Sequence, residues 1–144
     1  MSEFGPFERV CVENDWYDGP KEGIAEIDGV PHRFQLLFDE NEDEHLSTFK
    51  VWPVSLEELV LEIEQWCIFV NWNIRYESGE VDAESHPANG GRDFRWDEIV
   101  GALKVLRQEE FLNVKYAKAQ IKPANNAARY DLSGPNYLMS WKFL

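Results

Sequence analysis

The chain has no apolar run long enough to cross a bilayer. Its densest, WCIFV at residues 66 to 70, falls far short of the roughly 20 residues that a membrane-spanning helix requires. Cysteine is scarce: only Cys11 and Cys67 are present, which excludes a multi-bridge disulfide framework, and two reduced, buried thiols are the expectation in a chain of this size. Basic residues are few as well. Fourteen Lys and Arg against 27 Asp and Glu leave a net charge of -13, so polyphosphate surfaces are repelled and neither direct nucleic-acid binding nor an anionic membrane is an expected partner. The first ten residues, MSEFGPFERV, place Glu3 where a secretory leader needs positive charge and contain no apolar segment. A cytoplasmic protein is therefore expected.

Catalytic and metal-binding patterns are also missing. Asp39, Asn41 and Asp43 have the spacing that opens a calcium loop, but Glu44 stands where the loop needs glycine and Lys50 where it needs a bidentate glutamate. His32, His45 and His86 are scattered, with no H-x-x-x-H or C-x-x-C spacing, so no metal site and no cofactor are expected. There is no G-x-S-x-G elbow, no Walker lysine and no G-x-G-x-x-G. Cys11 in a strand and Cys67 in an apolar helix are poor nucleophiles, because burial disfavours the thiolate. The chain is therefore expected not to be an enzyme. Should it be one, the 77–92 loop with His86, the side chain there that titrates near neutrality, is where a catalytic or small-ligand site is expected.

What the sequence does contain is an α+β pattern in one globular domain spanning residues 1–144. FERVCVE (7–13), GIAEI (23–27), PHRFQLLF (31–38) and STFKVWPV (47–54) read as a strand meander. Within it, Asp28-Gly29 supplies the positive φ of a tight hairpin. Ser55 with Glu58 is a capping-box start for a helix over 55–76, and Val54 with Leu59 is placed as its hydrophobic staple. Leu56, Leu59, Val60, Ile63, Cys67, Val70 and Ile74 recur at helical spacing as its core face, leaving Glu57, Glu58, Glu62 and Glu64 as a solvated face; Ile68, Phe69 and Trp72 form a second apolar stripe. ESGEVDAESHPANGGR (77–92) is a long polar loop, and Asp93 caps a second helix carrying Trp96, Ile99, Val100, Leu103 and Leu106 on one face. NVKYAKAQIK (113–122) and NYLMSWKFL (136–144) close the chain as a hairpin, with Tyr137, Met139, Trp141 and Phe143 alternating. About six mostly antiparallel strands, the N-terminal meander plus this hairpin, are expected to pack on the two helices. Leu59, Ile63, Val70, Leu103 and Trp141 are the expected core.

Charge and aromatic content carry the functional reading. Residues 1–91 hold 21 acids and 5 basic residues, a balance of -16, whereas residues 92–144 are at +3. Twenty aromatic side chains are present. Most belong in the core, with Trp66, Trp96 and Trp141 on the apolar faces, but Trp16 and Tyr17 fall in a turn between Asp15 and Asp18. An exposed aromatic pair beside carboxylates is the kind of anchor that meets a basic protein, and an acidic field steers such an encounter. Asp15, Trp16, Tyr17 and Asp18, with Asp39, Glu40, Glu42 and Asp43 of the acidic loop, are accordingly the candidate partner-binding residues. The alternatives are carboxylates that mimic nucleic acid against a DNA-binding protein, a small-ligand site, or a turn merely pinned by its own aromatic rings. A monomer or a homodimer is expected.

WYDGPKEGIAEIDGVPHRFQ (16–35) resembles a motif of small stand-alone bacterial proteins of unassigned function, Y-D-G-P-x-x-G-x-A followed by a hairpin turn and P-H-x-F. The resemblance covers about a seventh of the chain and implies a shared fold core and a prokaryotic, cytoplasmic setting; it carries over no catalytic residue. In size, acidity and α+β build the chain is also similar to toxin-neutralising immunity proteins. A neutraliser of a basic partner is the function expected.

Overall fold

Four strands, two helices and four further strands follow one another in a computed structural model that describes residues 4–37, 48–107, 113–126 and 128–144. They fall into two compact units, a β unit built from both ends of the chain and a helical unit whose described residues are 55–107. In the β unit, β1 (Glu8–Trp16), β2 (Pro20–Ile27), β3 (Val30–Leu36), β4 (Thr48–Pro53), β5 (Lys115–Pro123) and β8 (Tyr137–Phe143) form one antiparallel sheet in that order. Pairing of Glu8 with Met139 and of Arg9 with Leu138 returns β8 to β1 and closes the sheet into a barrel. A short hairpin of β6 (Tyr130–Asp131) and β7 (Gly134–Pro135) forms a separate two-stranded ladder. The six-stranded antiparallel α+β architecture agrees with the sequence pattern. Closure was not foreseen: it removes the free edges that an open meander would leave.

Local chemistry explains how the barrel bends. Asp28 and Gly29 both adopt positive φ, 53° and 77°, in a two-residue connection that pairs Ile27 with Val30. Strand β1 runs three residues beyond its expected end, through Trp16, and carries register shifts between Val10 and Val12 and again from Glu13 to Trp16. Such bulges increase bending and twist, which closure requires. Gly23 lies where backbones approach closely: a Cβ there would sit 2.3 Å from the Val12 carbonyl oxygen and 2.9 Å from the Phe34 ring. Val10, Ala25, Phe34, Phe49, Val51, Ala117, Met139 and Trp141 belong to the interior cluster. Phe34, Phe49 and Trp141 meet there with centroid separations of 5.5–5.7 Å at steep angles, the tilted geometry that aromatic quadrupoles favour. Phe143, the last of the alternating residues, is exposed.

The helical unit consists of α1 (Leu56–Glu77), one 3₁₀ turn (Ala83–Ser85) and α2 (Phe94–Leu106). Both starts follow the expected caps: Ser55 Oγ accepts from the Glu58 amide at 3.1 Å, and Asp93 Oδ1 from the Trp96 amide at 2.8 Å. The buried face of α1 is not the expected one. Glu58 and Glu62, read from sequence as solvated, are 0% and 1% exposed and share a face with Trp66 and Val70, while Leu56 is 75% exposed and Val60 and Ile74 are exposed as well. Leu59 and Ile63 are half-buried, whereas Val70, Leu103 and Trp141 are buried as expected. For Glu62 the physical reason is a long-range charge pair. Arg107, at the end of α2, donates to Glu62 Oε2 at 2.7 Å, which compensates a buried carboxylate that intrahelical periodicity treats as solvated.

Candidate functional site

The candidate residues of the acidic turn are set by the end of β1 and its tight connection to β2. Asp15 pairs with Glu22 and Trp16 with Pro20 across the ladder, and the chain then reverses through Tyr17, Asp18 (φ 54°) and Gly19 (φ 131°). The Tyr17 amide donates to the Gly19 carbonyl at 3.0 Å. Asp15, Trp16, Tyr17 and Asp18 are all exposed, Tyr17 at 78% and Trp16 at 43%. Asp39, Glu40, Glu42 and Asp43 lie outside the described residues.

Trp16 is held from one side. Arg129, in the connection after β5, places its guanidinium carbon 4.7 Å from the Trp16 ring centre, 4.6 Å from Tyr130 and 5.7 Å from Tyr137. The same guanidinium donates to Glu13 Oε1 at 2.7 Å, and Tyr137 Oη donates to that oxygen at 3.0 Å. Trp16 and Tyr137 are themselves 5.3 Å apart. Burial, and then the negative charge of Glu13, push the Tyr137 phenol well above the ordinary tyrosine range, so it remains a donor at any physiological pH. The result is an aromatic anchor fixed by a cation between rings, with Tyr17 projecting beside it and carboxylates on either side. Sequence reading found the turn but missed Glu13, Arg129 and Tyr137 as its support. Arg129-Tyr130 stands in a non-periodic Pro/Asn/Ala connection, where no spacing rule ties it to a strand 116 residues away.

The 77–92 loop, the alternative location, is densely bonded. Asp82 Oδ1 accepts from the Ser85 amide, Trp72 Nε1 donates to Ser85 Oγ at 2.9 Å, and Asn89 Nδ2 donates to the Glu84 carbonyl. His86 is packed among rings, 4.5 Å from Trp72, 5.8 Å from Phe69 and 6.1 Å from Trp96. Its Nδ1 accepts from the Ala88 amide at 3.0 Å, which fixes a neutral ring, and burial lowers its pKa below the usual imidazole value. An open groove of about 390 Å³ nearby is lined by Trp72, Arg75, Ser85, Arg92 and Asp93, with His86 not on its wall.

His32 is accounted for by a 2.7 Å contact between Nδ1 and the Val30 carbonyl. Among the described residues no group of three His, Cys, Asp or Glu is arranged to hold a metal ion, and no helix is long and apolar enough to cross a membrane. Cys11 and Cys67 are free thiols; burial pushes the Cys11 thiol up. Comparison with protein families, curated proteins and solved structures finds no match for this chain.

Proposed function

We propose that this chain is a cytoplasmic binding or inhibitor protein that neutralises a basic protein partner in the manner of an immunity protein. The observation that supports this reading best is the Arg129-braced turn: Tyr17 and Trp16 are exposed aromatic side chains on a fixed backbone, flanked by Asp15 and Asp18. Rigid aromatics at the centre of a surface with charges at its edge match the anatomy of interaction hot spots, because little conformational entropy is lost when they are covered. The balance of -16 over residues 1–91 adds a long-range field that speeds encounter with a cationic surface and weakens with salt. The prokaryotic setting implied by the 16–35 motif is part of the same reading.

Affinity capture from a bacterial lysate, at low and at high salt, tests it. Recovery of a basic toxin or nuclease whose retention falls with salt supports neutralisation. Recovery of a DNA-binding protein at its nucleic-acid surface supports mimicry instead, and the absence of any salt-sensitive partner argues against both. With a partner in hand, reversing Asp39, Glu40, Glu42 and Asp43 to Lys is expected to slow association. An unchanged on-rate would leave that loop as solvated surface.

A further inference from the structure

The β unit carries a cavity of about 510 Å³ beside the Asp18-Gly19 turn, between the start of β2 and the second half of β5. Small-molecule sites occupy about 300–1,000 Å³, and the mouths of β-barrels are among their usual places. The floor is made by buried members of the barrel interior, Phe49, Ala119 and Met139, with Pro20 beside them and Phe7 on the wall. Ala119 stands directly opposite Trp141 in the β5–β8 ladder, and the Trp141 ring is 5.5 Å from Phe49. The indole Nε1 of Trp141 is buried without a hydrogen-bond partner among the described residues. The cavity floor is thus apolar and adjoins a buried donor.

The rim has a different character. Lys21 and Gln120 line it, and Lys122 reaches it indirectly, with its Nζ 4.6 Å from the centre of the Phe7 ring. One ammonium group, Lys21, is therefore on the lining and a second, Lys122, stands against the Phe7 ring of the wall, with one lining carboxylate, Asp18. An anion is favoured there, but Asp18 disfavours a second negative charge. We propose that this cavity is a binding site for a small monocarboxylate with an apolar body, the hydrocarbon or aromatic part resting on Phe49, Ala119 and Met139 and the carboxylate meeting Lys21 and the Gln120 amide. The site does not involve the Trp16–Arg129 stack and shares only Asp18 with the partner-binding turn.

The test is a titration of the full ¹⁵N-labelled chain with sodium octanoate, following the indole N–H signals by NMR, with the Trp141 signal identified through Trp141→Phe. Saturable, one-to-one movement of the Trp141 signal is expected, with n-octylamine and succinate binding more weakly than octanoate. Lys21→Glu, a rim substitution that leaves the barrel interior intact, is expected to weaken octanoate about tenfold, as a favourable charge contact becomes repulsive at a partly solvated site. Ala119→Leu fills the floor and is expected to abolish binding while the remaining indole signals keep their dispersion. A Trp141 signal unmoved at several millimolar octanoate, octylamine binding as tightly as octanoate, or an unchanged affinity in Lys21→Glu would each overturn the assignment.

Discussion

Replacing Arg129 by alanine tests the brace behind the acidic turn. The Arg129 side chain is 38% exposed, but the Glu13 side chain it bonds at 2.7 Å is only 7% exposed. A fully buried pair broken on one side costs about 3–5 kcal/mol, and an exposed pair about 0.2–1 kcal/mol. With one buried partner and one partly solvated, roughly 2 kcal/mol is expected from the pair. The stacking on Trp16 and Tyr130, at 4.7 and 4.6 Å, adds about 0.5 kcal/mol each at a half-exposed position. Arg129→Ala should therefore destabilise the β unit by about 3 kcal/mol, or close to 10 °C in melting temperature for a chain of this length. Tyr137→Phe removes the second donor to Glu13 Oε1 and should cost about 1.5–2 kcal/mol, as for a hydrogen bond to a charged acceptor. Because both donors share one oxygen, the double variant should deviate from the sum by at least about 0.5 kcal/mol. Urea unfolding gives the energies, and loss of near-ultraviolet circular dichroism reports release of Trp16. A cost below about 0.5 kcal/mol for Arg129→Ala, the scale of an ordinary surface substitution, with unchanged aromatic dichroism, would refute the idea that this network fixes the turn.

Gly23→Ala places a methyl 2.3 Å from the Val12 carbonyl oxygen and should cost at least about 2 kcal/mol, measured by urea unfolding; a neutral effect would mean that β1 and β2 separate easily at the bulge. His86 has a lowered pKa in the folded chain through burial, so its stabilising contribution is full above the unfolded value of about 6.5 and is lost as pH falls through that value toward the lower folded one. The urea midpoint should accordingly drop between pH 7.5 and pH 5 more in the wild type than in His86→Gln, and equal drops would contradict the packing argument. Cys11 is buried with a raised thiol pKa, so iodoacetamide at pH 7.5 should label it only after denaturation, as mass spectrometry of the modified peptides would show.

Features encoded within a few residues were legible from sequence. Asp28-Gly29 named its own hairpin, Ser55 and Asp93 named two helix starts, and the alternation through Trp141 named a half-buried strand, because each depends on backbone preference or on a local side-chain to amide bond. Features set by distant partners were not. Periodicity placed Leu56 and Val60 inward and Glu58 and Glu62 outward, and the pairing of Glu62 with Arg107, 45 residues on, falls outside what a helical wheel can represent. Barrel closure likewise depends on bulges in β1 and on a short ladder between Glu8-Arg9 and Leu138-Met139. The site shows the same division. Asp15 to Asp18 stood out as a local cluster of turn formers and aromatics, whereas the Arg129 brace and the cavity at Ala119 exist only once the strands are assembled.

In the proposed function the braced turn meets a basic partner. The most direct measurement is the association rate of the captured partner with the wild type and with Asp15→Asn, Tyr17→Ala and Asp18→Asn combined, across a range of salt. A rate that falls steeply with salt is expected for the wild type, with a shallower dependence for the combined variant and dissociation accelerated at least about tenfold by loss of the Tyr17 anchor. Equal association and dissociation rates for the two proteins at every salt concentration would contradict it.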